Sequence, residues 1–178
     1  MSMQFNVAGL LKAPIGERRD FELDDTFSLG EPDVTVVAPV IGRVRLTRDH
    51  AGILVQAKLH TRLAQECARC LAQTESDVAL TLDEEFWPTV YIPGGPPVSR
   101  TDEDHEAETA IDMHHGLDLA EVVRQAILLE VPSHPLCRPD CKGLCPTCGQ
   151  DLNSGPCACP PGVDERWATL KGLLGDQV

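Results

Sequence analysis

Eight cysteines among 178 residues constrain this chain more than any other feature. Six form the run Cys137-x3-Cys141-x3-Cys145-x2-Cys148-x8-Cys157-x-Cys159, and Cys67-x2-Cys70 completes the set. A Cys-x-x-Cys on a tight turn aims two sulfurs at one point, and zinc takes four ligands in a tetrahedron. A glycine directly after the pair, as in Cys148-Gly149, frees the backbone to curl around an ion. Two sites of four is the natural arithmetic. The preferred grouping is Cys145, Cys148, Cys157 and Cys159 on one ion, and Cys67, Cys70, Cys137 and Cys141 on the other. The second set would staple two distant parts of the chain together. The spacing leaves other pairings open, a single ion included, and His134 could replace Cys137 or Cys141. His114-His115 has no cysteine partner nearby.

Apolar burial is too scarce to do the same work. Between Ser133 and Gly162 the only large aliphatics are Leu136, Leu144 and Leu152, each contributing roughly 1.5–3 kcal/mol when fully buried. One structural zinc contributes an apparent ~10–16 kcal/mol. The expected cofactor is therefore zinc, one or two ions in a structural role.

Two other chemistries compete. Cys67-Ala68-Arg69-Cys70 has the form of a dithiol redox pair, with Arg69 lowering a thiol pKa, but it lies between strands and not at the strand-to-helix junction of a thioredoxin-like unit. Hydrolytic metal catalysis needs an open coordination position, whereas all-cysteine sites are closed. No Ser/His/Asp signature, phosphate-binding loop or dinucleotide fingerprint is present. The chain reads as a non-enzyme without a small-molecule substrate.

Residues Met1 to Pro14 lack the basic start and apolar run of a signal peptide, and no segment approaches the ~20 apolar residues of a membrane span. The expected location is the cytoplasm, where thiols stay reduced and available to metal. Twenty-eight Asp+Glu outweigh fifteen Lys+Arg, giving a formal net charge of -13. That balance argues against binding nucleic acid through phosphate neutralisation, and favours basic protein partners.

Hydrophobic periodicity gives the body. From Val34 to Phe86 apolar residues alternate through three strands. The first carries Val34, Val36, Val40, Gly42, Val44 and Leu46, and a turn at Asp49-His50-Ala51-Gly52 leads to Ile53, Val55, Ala57 and Leu59. The third, Leu71 to Phe86, sets Val78, Leu80 and Leu82 against Asp77, Thr81 and Asp83, which places Cys67 and Cys70 in the turn before it. Gln4 to Leu11 and Arg19 to Leu29 read as further strands. Residues from about 87 to 115 read as a mobile acidic loop, a solvated linker in its simplest form and a docking surface in its alternative. A helix over about 118–131 follows, with Asp118 and Glu121 as a capping box and Pro132 as its stop. Asp164 to Leu174 suggest a short terminal helix.

The expected fold is α+β: an antiparallel meander, barrel-like in its most closed form, packed by one helix. Residues 1–132 form the body, and 133–178 form a cysteine-rich, zinc-ribbon-like module with the terminal helix.

The Cys67-Ala68-Arg69-Cys70 turn, Glu84-Glu85-Phe86, Ile111-Asp112, Leu117-Asp118-Leu119 and Ile127-Leu128-Leu129-Glu130-Val131-Pro132 together resemble the YceD-like family, the large ribosomal RNA subunit accumulation proteins. The most specific string is Cys141-Lys142-Gly143-Leu144-Cys145-Pro146-Thr147-Cys148-Gly149-Gln150-Asp151-Leu152-Asn153. The resemblance implies a bacterial or plastid factor linked to accumulation of 23S ribosomal RNA in large-subunit biogenesis, with no catalytic residues. Joined to the charge, it implies action through a basic ribosomal protein or large-subunit assembly factor. Asp102 to Asp112 and the polar sheet face would be the attractive surface. Direct rRNA contact is the runner-up, although Ser133 to Gly162 offers only Arg138 and Lys142 against Asp140 and Asp151.

Overall fold

The computed structural model describes residues 3–96, 98, 107–160 and 166. Its centre is a long hairpin. Strand β5 (Ile53–Glu66) pairs antiparallel with β6 (Gln73–Pro88) from Ile53↔Phe86 to Glu66↔Gln73. Strand β4 (Val40–Arg48) pairs with the first half of β5, and β2 (Arg18–Asp25) with β4. The turn between β4 and β5 closes by Asp49 N–H donating to the Gly52 carbonyl at 3.0 Å, as the Asp49–Gly52 sequence leads one to expect.

Side-chain alternation decides what each face does. On one face Val44, Leu46, Val55, Leu59, Leu63, Val78, Leu80, Leu82 and Phe86 are buried. They are covered by α1 (Ala8–Leu11), through Leu10 and Leu11, and by α2 (Ala120–Glu130), through Val122, Val123 and Ile127. The result is a two-layer α+β arrangement. The sheet is open, with β2 at one side and, beyond β6, the two-residue strand β7 (Ala110–Ile111) at the other. The barrel-like closure does not form among the described residues, because the edge strands β2 and β7 do not pair.

Arg48 sits within this core at 5% exposure. Its Nε donates to the Leu11 carbonyl at 3.2 Å and its Nη1 to the Gly52 carbonyl at 3.3 Å. The guanidinium thus ties the end of α1 to the hairpin turn, and burial lowers its pKa.

Several elements depart from the pattern-based reading. The strand expected over Val34–Leu46 is two pieces, β3 (Thr35–Val36) and β4, both paired to β5. Pro39, which has no N–H to give the ladder, interrupts them. Gln4 to Leu11 splits into β1 (Gln4–Asn6) and α1, where Asn6 Oδ1 accepts from Ala8 N–H at 3.1 Å.

Strand β1 pairs with β8 (Gly116–Asp118), and this holds Asp118 extended. Helix α2 therefore starts one residue later than the capping box suggests, with Leu119 at its N-cap. Asp118 Oδ1 still accepts from Ala120 N–H at 2.9 Å, but Glu121 turns to Arg124 instead of reaching back. The helix stops where expected, with Val131 extended ahead of Pro132.

The acidic loop has structured ends. Trp87 and Pro88 pair in parallel with β7 (Ala110–Ile111), and Ile92 is buried. Asp112 Oδ1 accepts from the backbone N–H groups of Gly116 at 2.7 Å and His114 at 2.8 Å, which shapes the β7–β8 turn and holds the carboxyl below its usual range. The stretch Asp102–Glu106 and, apart from residue 166, the segment Asp164 to Leu174 expected to form a terminal helix lie outside the described residues.

Candidate metal centre

The hairpin turn between β5 and β6 carries the first cysteine pair, and the chain leaving α2 returns to meet it. Ala68 N–H donates to the Pro135 carbonyl at 2.8 Å and Leu144 N–H to the Arg69 carbonyl at 3.1 Å. Arg69 Nη1 donates to the Cys141 carbonyl at 2.7 Å. Arg69 therefore fastens the incoming segment; its guanidinium binds a carbonyl, not a thiolate.

These contacts gather Cys67, Cys70, Cys137 and Cys141 into one cluster, while Cys145, Cys148, Cys157 and Cys159 form a second. Within each set the sulfurs lie within 4.8 Å of one another. The grouping is the preferred one from the spacing. Neither His134 nor the His114-His115 pair joins a cluster, among the described residues.

The geometry fits a tetrahedral ion. Four sulfurs ~2.3 Å from a central ion stand ~3.8 Å apart. Cys67 Sγ and Cys141 Sγ are separated by 3.8 Å, and Cys70 Sγ and Cys137 Sγ by 3.6 Å. A disulfide would need ~2.05 Å, and all eight cysteines are free. Each cluster could hold one metal ion.

The two Cys-x-x-Cys turns share one conformation. Leu71 N–H donates to the Cys67 carbonyl and Gly149 N–H to the Cys145 carbonyl, both at 2.9 Å. The donor residue has positive φ in each, 61° at Leu71 and 74° at Gly149. Gly149 was legible in advance; Leu71 was not, since a leucine rarely adopts this conformation and only the surrounding contacts impose it.

Backbone N–H groups point at the leading sulfurs. Those of Cys137, Arg69 and Cys70 push Cys67 down to about 6, and those of Cys148 and Thr147 push Cys145 down to about 6. Cys137 and Cys159 are pushed up to about 12, chiefly by their hydrogen bonds to Cys70 and Cys148 respectively. Each cluster thus biases one sulfur toward thiolate and another toward thiol, and because an ion needs its ligands deprotonated, metal uptake releases protons and weakens as pH falls.

Gly143, Leu144 and Cys145 run back along Gln150 to Leu152, with Cys145 N–H on the Gln150 carbonyl at 2.8 Å and Leu152 N–H on the Gly143 carbonyl at 2.9 Å. Gly143 has φ 74°, and a Cβ there would meet the Arg69 carbonyl oxygen at 2.9 Å. From Ser133 to Pro160 the only buried residues are Cys141, Gly143 and Cys145; Leu136, Leu144 and Leu152 are half-buried. The interior of this segment is made of sulfur.

The polar sheet face differs from the acidic surface expected of it. Arg43, Arg45, Lys58 and Arg62 project there, most of them engaged by carboxylates: Arg43 with Glu22, Arg45 with Asp20, and Arg62 with Asp77 and Glu75. A shallow groove of about 690 Å³ crosses the face, lined by Arg43, Arg45, Gln56, Lys58, Thr81 and Asp83. The reason is register: β4 and β5 contribute the cations and their outer neighbours the carboxylates. No helix among the described residues is long and apolar enough to cross a membrane.

An open, mostly antiparallel sheet covered by two helices, its central hairpin turn carrying half of a four-cysteine cluster, defines an α+β protein with paired candidate metal sites. Residues 55–174 match the family model described as large ribosomal RNA subunit accumulation protein YceD, and the chain belongs to that family. An uncharacterized protein of Mycobacterium tuberculosis is 39% identical over 127 residues, covering 71% of this chain and 58% of its own. Another from Mycobacterium leprae is 30% identical over 142 residues, covering 79% and 62%. A Zea mays protein is 27% identical over 159 residues, covering 76% and 54%, and is named large ribosomal RNA subunit accumulation protein YCED homolog 1, chloroplastic. The chain thus spans less than two thirds of the length of these relatives. No solved structure matches it.

Proposed function

We propose that this chain is a non-enzymatic, zinc-stabilised factor in large-subunit biogenesis that supports accumulation of 23S rRNA by engaging a basic ribosomal protein or assembly factor. Zinc fills both four-cysteine clusters, residues 133–178 act as a zinc-ribbon-like module on the 1–132 body, and the protein works in the cytoplasm. Family membership supports the biological setting.

The observation that carries the choice of partner is that most of the sheet-face cations already face carboxylates. Besides the sheet-face pairs, Arg124 is held by Glu31 and Glu121, and Arg138 by Asp140. Four thiolates around one divalent ion leave a net double negative charge at each site. A filled module would repel phosphate and attract Lys- and Arg-rich protein.

Direct rRNA binding is the second reading, favoured by the groove at Arg43, Arg45 and Lys58. Salt dependence separates the two. Affinity for a purified 23S rRNA fragment, measured from about 50 to 200 mM salt, is expected to be weak and nearly flat, alongside saturable binding to a purified basic large-subunit protein. A log–log slope of about -3 or steeper, the signature of four or more phosphate contacts on single strands, would overturn the preference.

A further inference from the structure

Asn153 belongs to neither cysteine cluster, yet it contacts the first from a loop that the second encloses. It lies in the loop between Cys148 and Cys157, whose path is fixed by the second cluster. Its Nδ2 donates to Cys141 Sγ of the first cluster at 3.5 Å, and its Oδ1 accepts from Lys142 N–H at 2.8 Å. Asp151 holds it in place: Asp151 Oδ1 accepts from Asn153 N–H at 2.9 Å and from Nδ2 at 2.8 Å, while Ser154 Oγ donates to Asp151 Oδ2 at 3.2 Å. Asn153 is half-buried.

We infer that Asn153 is a positioning residue that couples the two metal sites, so that filling the second site raises the metal affinity of the first. The inference rests on reading both clusters as metal sites. The physical route is short. An ion on Cys145, Cys148, Cys157 and Cys159 orders the loop at both ends, which fixes Asn153 with its N–H aimed at Cys141. An N–H···S hydrogen bond stabilises the thiolate that the first ion needs, and such outer contacts typically change metal affinity 10–100-fold. With the second site empty, the first ion must itself order that loop, so its affinity is lower. Reciprocity then requires the first site to help the second by the same factor. The same loop explains why the run from Cys141 to Asn153 extends past its cysteines: Gly143 admits the Arg69 carbonyl, and Asp151 and Asn153 carry the link.

The test is a cobalt(II) and zinc(II) competition titration against a chelator on the full chain, read by thiolate-to-cobalt absorption. Single-site constants come from Cys67→Ser/Cys137→Ser and Cys148→Ser/Cys157→Ser proteins, with far-UV circular dichroism confirming the sheet. The constant for loading both wild-type sites is expected to exceed the product of the single-site constants by about 5–150-fold. In Asn153→Ala that excess falls to within about twofold. Asn153→Asp, which keeps the Lys142 acceptor but lacks the N–H donor, should lose it too. Two bound equivalents in the wild type without any excess would overturn the coupling and leave the metal reading intact. An excess that survives both substitutions would remove Asn153 as its carrier. A wild-type protein that binds no metal would overturn the metal reading and the coupling with it.

Discussion

Stripping metal from the full chain with a strong chelator under reducing conditions is expected to unfold Ser133–Pro160 while β4, β5 and β6 stay folded. The reason is what the segment buries. Its buried residues are Cys141, Gly143 and Cys145, and its three leucines are each only half-covered. Thirty or so ordered residues carry a backbone entropy cost of about 1–2 kcal/mol each, which three partly buried leucines do not approach. A structural zinc contributes an apparent ~10–16 kcal/mol. Hydrogen exchange reads the outcome directly. The amides of Cys141, Leu144, Cys145 and Leu152, all hydrogen-bonded within or onto the segment, should lose protection at least about a thousandfold, since that corresponds to only ~4 kcal/mol. Hairpin amides such as those of Leu59 and Leu80 should keep theirs. Returning zinc should restore the pattern. Protection of the segment that persists after chelation would mean that packing, not metal, holds it.

Phe86→Ala should do the converse. Phe86 is fully buried opposite Ile53 at the end of the central hairpin, and a Cβ on Gly52 would run into its carbonyl oxygen, so the neighbouring backbone has no slack to fill a void. Loss of a buried phenyl ring costs about 3–5 kcal/mol. For a chain of this size each kcal/mol lowers Tm by about 2–4 °C, so thermal unfolding of the sheet should begin roughly 6–20 °C earlier. Below that temperature the variant should bind as much metal as the wild type. Loss of metal while the sheet is still folded would show that packing at Phe86 also supports the cysteine clusters, against the division into body and module proposed here.

How much of this was legible in the sequence follows from the range of the interactions concerned. The β4–β5–β6 meander was visible because period-two alternation is local, and Val78, Leu80 and Leu82 face the core as their spacing implies. The cysteine grouping was visible as a preference, because spacing narrows which sulfurs can converge without fixing it. What failed was decided by distant partners. Pairing of β1 with β8 holds Asp118 extended and delays α2. A single Pro39 divides β3 from β4, and α1 looked like strand because four residues are too few to show a helical period. The mixed charge of the polar face depends on register across four strands, which no single strand displays. At the metal centre the missed residues are Leu71, Arg69 and Asn153. Leu71 has a conformation its side chain disfavours, Arg69 suggested thiol activation but serves as a clamp, and Asn153 reaches Cys141 across a loop closed by the other cluster.

The central claim is that eight cysteines hold two ions. Elemental analysis of protein purified without chelator, combined with a free-thiol count after unfolding, tests it most directly. About two equivalents of zinc per chain, with all eight thiols reduced once unfolded, is the expected result. A chain without metal whose cysteines are paired as disulfides would contradict the account and bring the Cys67–Cys70 redox reading forward in its place.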